Sequence, residues 1–115
     1  MEKGSWQQAI AAFEKAAADQ ALRAESYRMI GRCHMGTGNV QIATVKYKVG
    51  LMARRITTEQ EINLCADLSE AYIKAGNFTQ SLQYLKKILA INPAYPQIRE
   101  KIAAVEARFR KPYAR

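Results

Sequence analysis

The sequence is poor in the residues on which most enzyme chemistry depends. Its 115 residues include one histidine, one tryptophan, two cysteines and three prolines. His34 alone would have to serve any nucleophile as base, and there is no second imidazole to pair with it on a metal. Cys33 and Cys65 are 32 positions apart with no CxxC spacing, so they are expected as interior thiols rather than ligands or a disulfide. That usage suits a reducing compartment, and without a signal-like N-terminus the expected location is cytoplasmic. No apolar run reaches the roughly 18 residues that a membrane span requires. The Gly36-Thr37-Gly38 segment lacks the following lysine of a phosphate loop. Neither a catalytic role nor a cofactor or metal is expected.

What is present is a folded, basic chain. Hydrophobic residues make up 49% of it, many of them alanines, which suits closely packed helices. The net charge of +8 favours acidic proteins, nucleic acid or anionic lipid as partners and says nothing about fold.

A pattern recurs along it. The fullest copy runs Tyr27-x-x-Ile30-Gly31-x-x-His34, then Gly38-Asn39, then Ala43-x-x-x-Tyr47. A second reads Cys65-x-x-Leu68-Ser69-x-x-Tyr72, Gly76-Asn77, Ser81-x-x-x-Leu85, closing at Asn92-Pro93. The back half of a third opens the chain, with Gly4 and Ala9-x-x-x-Phe13. Gly4 to Gly38, Ala9 to Ala43 and Phe13 to Tyr47 are each 34 positions apart. The next step is 38, as in Gly31 to Ser69 and Tyr47 to Leu85, so four residues are inserted between Leu51 and Ile62.

Helical spacing fills in the elements. Residues 1–19 read as one helix with Trp6, Ala9, Ile10 and Phe13 on one face and Ser5 and Gln8 as a capping box. Asp19 is expected to cap the next helix, which carries Leu22, Tyr27, Ile30 and Cys33 and ends at the glycine turn. Asn39 caps its partner, with Ile42, Ala43, Tyr47 and Leu51 inward. The four inserted residues amount to about one helical turn and are expected to lengthen this helix around Arg54 and Arg55. Thr58 and Glu61 form a further capping box ahead of Ile62, Cys65, Leu68 and Tyr72. Asn77 then caps a helix whose inner face is Phe78, Leu82, Leu85, Ile88 and Leu89, stopped at Asn92-Pro93. A last helix carries Ile98, Ile102, Val105 and Phe109 and leads into Arg110-Lys111-Pro112-Tyr113.

In period, and in its order of aromatic and small positions, the pattern resembles the tetratricopeptide repeat. The resemblance implies an all-α fold of about six helices, in antiparallel helix-turn-helix units stacked as a right-handed α-solenoid. Residues 1–20 would then be the second helix of a truncated leading repeat, 21–57 and 58–93 two full repeats, and 94–115 a capping helix with a basic tail. Met1 to Lys3 would be an artificial boundary, with a partner helix expected upstream. Trp6 and Phe13, lacking that partner, are candidates for self-association.

The resemblance also implies a function, the holding of a partner peptide or helix in a concave groove lined by the first helix of each repeat. By position those groove residues are Glu25, Arg28, Arg32 and Met35, then Asn63, Glu70, Ile73 and Lys74. Arg28 and Arg32 are one helical turn apart and suit an acidic partner through forked hydrogen bonds. The subfamily that clamps chaperone C-termini is disfavoured, because Asp67 and Glu70 give the second helix the wrong sign. Nucleic acid is the alternative partner, suggested by Lys46, Lys48, Arg54 and Arg55 and by six basic residues against two acidic ones from Arg99 to Arg115. A third reading is an oligomerising or regulatory part of a larger protein, docking through its first helix.

Overall fold

The computed structural model describes residues 3–110, all in helices and their connections, with no strand among them. The helices are α1 (Lys3–Ala16), α2 (Arg23–Gly36), α3 (Val40–Leu51), α4 (Thr58–Lys74), α5 (Phe78–Ile91) and α6 (Ile98–Arg110). Each packs against the next, and α2 also reaches α4. No described helix is long and apolar enough to cross a membrane. Residues 111–115, with most of the expected basic tail, lie outside the described part.

Two turns are built alike, and glycine makes both. Gly38 and Gly76 stand at φ +85° and +77°, the left-handed region that a side chain disfavours. In each turn the following asparagine donates its backbone N–H back to the helix, Asn39 to His34 and Asn77 to Tyr72, both at 2.8 Å. Gly38 donates to Met35 at 3.1 Å and Gly76 to Ile73 at 3.0 Å, which completes a Schellman motif at each helix end.

Several expected caps are corrected. Ser5 is inside α1, which already runs from Lys3, so it caps nothing. Leu22, not Asp19, precedes α2 and gives no side-chain cap; the Asp19 carboxylate instead accepts from Ala21 N at 2.9 Å and shapes the turn. The Asn39 side chain turns back to donate to Thr37 Oγ1 at 3.3 Å, leaving α3 uncapped by it. The reciprocal box at α4 is Thr57 with Gln60, each bond 3.0 Å, one residue earlier than the Thr58 and Glu61 pair. Asn77 does cap α5, accepting from Gln80 N at 3.2 Å.

The insertion does not lengthen α3, which stops at Leu51. By the 38-residue offset Arg23 corresponds to Glu61, so the three residues from Thr58 give α4 an additional first turn. The preceding stretch is a loop in which Arg54 and Arg55 are exposed while Ala53 is buried. Burying Ala53 and capping at Thr57 give the chain a place to reverse that a longer α3 would remove.

The interior divides into two clusters. Ala24, Ala43, Tyr47, Leu64, Leu68, Ala71 and Tyr72 form one between α2, α3 and α4. Ile62, Cys65, Leu85, Ile88, Ile98, Ile102 and Val105 form the other between α4, α5 and α6. Full burial of a side chain such as Leu64 or Leu68 contributes about 1.5–3 kcal/mol. Ile42, expected inward, is 45% exposed and the buried neighbour is Thr44, whose hydroxyl donates to Gln41 O at 2.7 Å. Phe109 is likewise 42% exposed rather than part of the α6 inner face. The α6 core residues repeat those of α4 at 34 positions, Leu64 with Ile98, Leu68 with Ile102 and Ala71 with Val105.

Small residues set how closely the axes approach. A methyl group on Gly31 would come within 2.4 Å of the Tyr47 ring, so α2 crosses α3 with the tyrosine lying against bare backbone. One repeat on, the same two places hold Ser69 and Leu85, both buried. The larger ring is met by the smaller residue.

Candidate interaction surface

Arg28 is the anchor of the face shared by α2 and α4. Its Nε donates to Asp67 Oδ2 at 2.8 Å, and its Nη1 is 3.8 Å from Glu25. Both side chains of the Arg28 and Asp67 pair are more than four-fifths buried. Burial pulls the Arg28 guanidinium down, but the Asp67 hydrogen bond and charge, with help from Glu25, leave it above its ordinary value. Arg28 is therefore a link between two helices, not a free fork for a ligand.

The remaining expected residues separate into three places. Arg32, Met35, Glu70 and Lys74 come together with Tyr47 and Asp67 around an open cleft of about 290 Å³ between α2 and α4. Ile73 lies with Glu70 in an adjoining cleft of about 350 Å³ between α4, α5 and α6, walled by Leu85, Tyr95 and Lys101. Asn63 lines a third cleft with Thr58, Asn92 and Tyr95, which meets the second at Tyr95. Asp67 and Glu70 border both of the first two clefts, so these adjoin.

Its electrostatics are mixed but not balanced. Asp67 is engaged by Arg28, while Arg32, Lys74 and Glu70 make no ion pair among the described residues. Two cations thus face one carboxylate around the smaller cleft. Burial, then the nearby Asp67 charge, push the Tyr47 hydroxyl well above its ordinary range against the pull of Arg32 and Arg28. Tyr47 is neutral here and offers a hydrogen bond, not a charge.

Asp67 and Tyr47 were not among the groove residues expected by position. The 38-residue offset pairs Met29 with Asp67, so Arg28 and Asp67 lie one residue from equivalence on neighbouring helices. That is the signal from which the contact was legible.

The other candidate residues are placed as follows. Trp6 and Phe13 are half-buried, with the indole against Gly36, where a methyl group would lie 2.6 Å from the ring. They line an open cleft with Ala9, Met29, Arg32 and Cys33. Of the basic residues on and after α3, Lys48 Nζ sits 5.4 Å from the centre of the Tyr72 ring and Arg54 and Arg55 are exposed. Tyr47, the aromatic among them, is buried, so the stretch presents no stacking platform for bases.

Cys33 and Cys65 are free and buried. Burial raises both thiols, that of Cys65 to about 11. Burial, then the charge of Lys46, lower His34 despite the opposing Glu14, and its Nδ1 is enclosed without a hydrogen-bond partner. Among the described residues no group of three histidine, cysteine or carboxylate side chains is placed to hold a metal. No protein-family model matches the chain, and no curated protein matches it.

Proposed function

We propose that the chain is a non-catalytic scaffold of tetratricopeptide type, its helix pairs stacked as a right-handed solenoid, that holds a partner peptide or helix on the α2 and α4 face. The observation that carries this reading is the 2.8 Å bond from Arg28 to Asp67, which joins nearly equivalent positions of equivalent helices. Two further features support it. The molecule extends 52 Å in its longest direction, whereas its longest helix, of 17 residues, is only about 26 Å long at 1.5 Å per residue. Helices laid side by side account for that length. The two clefts bordered by Asp67 and Glu70 adjoin, and both are open, which suits an extended partner better than a small enclosed ligand.

In this reading Arg32 and Lys74 take carboxylates of an acidic partner, Glu70 fixes its register, and Met35, Ile73 and Tyr95 receive its apolar side chains. The pairing of Arg28 with Asp67 keeps the floor rigid, so that little ordering accompanies binding. The site of action is the cytoplasm. The test is a pull-down from source-cell lysate with the wild-type chain and with Arg32→Glu/Lys74→Glu, both shown by circular dichroism to be folded. A protein retained only by the wild type supports the assignment, and identical profiles remove it from this face.

A further inference from the structure

The repeat provides an internal template for a second surface. At the centre of the molecule α2 lies across α3 and α4, and beneath it Ala43 and Ala71 are fully buried and Tyr47 is 2% exposed. The equivalent floor one step earlier is made by α1 and α2. Ala9 and Phe13 stand in the places of Ala43 and Tyr47 at an offset of 34; Met29, Arg32 and Cys33 stand in those of Asp67, Glu70 and Ala71 at 38. These five residues, with Trp6, line an open cleft of about 610 Å³. The floor is thus repeated, while among the described residues no helix covers it as α2 covers the other.

The differences between the floors define what fits. Over the central floor, Gly31 lies against the Tyr47 ring, Arg28 bonds Asp67, and Arg32 shares a cleft with Glu70. Over the first floor the ring is Phe13, Met29 has replaced the aspartate, and Arg32 has replaced the glutamate. An occupant keeps the small residue over the ring but needs an apolar side chain in place of Arg28 and a carboxylate in place of Arg32. Arg32 makes no ion pair among the described residues and is exposed, ready to meet that carboxylate.

We propose that the cleft between α1 and α2 docks an amphipathic helix that sets a small residue on Phe13, an apolar one on Met29 and a carboxylate on Arg32, crossing α1 and α2 as α2 crosses α3 and α4. The site rests on the repeat relationship and goes beyond the concave-face reading, with which it shares only Arg32.

The single tryptophan, Trp6, borders the cleft and reports its occupancy. The ligand is a tryptophan-free peptide of residues 22–38 carrying Arg28→Leu, Arg32→Glu and Cys33→Ala. Adding it shifts Trp6 emission to the blue in a saturable way. The same peptide with its arginine at position 32 kept, carrying only Arg28→Leu and Cys33→Ala, binds about tenfold more weakly, because it sets arginine against Arg32. In the Arg32→Glu protein, an exposed change that leaves the fold intact, the order of the two peptides reverses. A Lys74→Glu protein, which impairs the concave face, still binds the acidic peptide, so failure of one site is read separately from failure of the other. No emission shift with either peptide, or an order unchanged by Arg32→Glu, overturns the proposal. A dimer seen by sedimentation and lost in Phe13→Glu, without a peptide response, overturns it by giving the cleft to a second copy of the chain.

Discussion

Arg28 and Asp67 hold α2 and α4 together through a hydrogen-bonded ion pair of 2.8 Å, made from positions 39 residues apart. Because both side chains are largely out of water, losing one partner leaves the other charge desolvated. Asp67→Asn preserves shape and removes the charge. It is expected to cost about 1–3 kcal/mol in urea unfolding, with a coupling to Arg28→Met in a double-mutant cycle. Independent, additive effects would show that the pair does not bind the two helices to each other.

The small-against-large pairing of Gly31 with Tyr47 is expected to be transferable. Gly31→Ser alone drives a side chain into the tyrosine ring and destabilises by about 1–3 kcal/mol. Adding Tyr47→Leu reproduces the Ser69 and Leu85 combination of the following repeat and should recover part of that loss. A double variant no more stable than the sum of its parts would deny the equivalence of the two crossings.

Ser81 is a place where the chain can be improved. Its side chain is fully buried at the position equivalent to Ala43, and its hydroxyl has no hydrogen-bond partner. Ser81→Ala keeps the volume close and removes the orphaned group, so thermal unfolding should show a gain of about 1 kcal/mol. A loss of stability would mean that the hydroxyl is satisfied.

The thiols govern part of the alkaline limb of stability. Cys65 titrates at about 11 in the fold against an ordinary 9.0, so the unfolded chain ionises first. Its contribution is complete below pH 9.0 and is lost as pH rises through about 11. Cys65→Ala is expected to flatten unfolding free energy across that window, and an unchanged slope would contradict the assignment. In the native state at neutral pH both thiols should resist a disulfide reagent.

How far the sequence carried can be judged from particular residues. The six helices and the turns at Gly38 and Gly76 were legible because helical period and left-handed glycine act locally. Cap positions were harder, since Thr57 with Gln60 and Thr58 with Glu61 both satisfy the same spacing, and only the path of the loop around buried Ala53 selects the first. Ile42 was misplaced although the information was there. At about 100° per residue the inward direction bisecting Ala43 and Tyr47 lies about 120° from Ile42 and about 80° from Thr44, so Thr44 is the nearer of the two to the core. The fate of Arg28 was not legible from its own helix, because its partner belongs to the next repeat.

Whether the α2 and α4 face carrying Arg32, Met35, Glu70, Ile73 and Lys74 receives an acidic peptide is decided by a peptide-display selection against the immobilised chain. The predicted result is a set of acidic peptides with one or two large apolar residues whose affinity falls about tenfold or more in Arg32→Glu/Lys74→Glu, and falls with added salt. Enrichment of no peptide, or of peptides that bind this variant as well as the wild type, would contradict it.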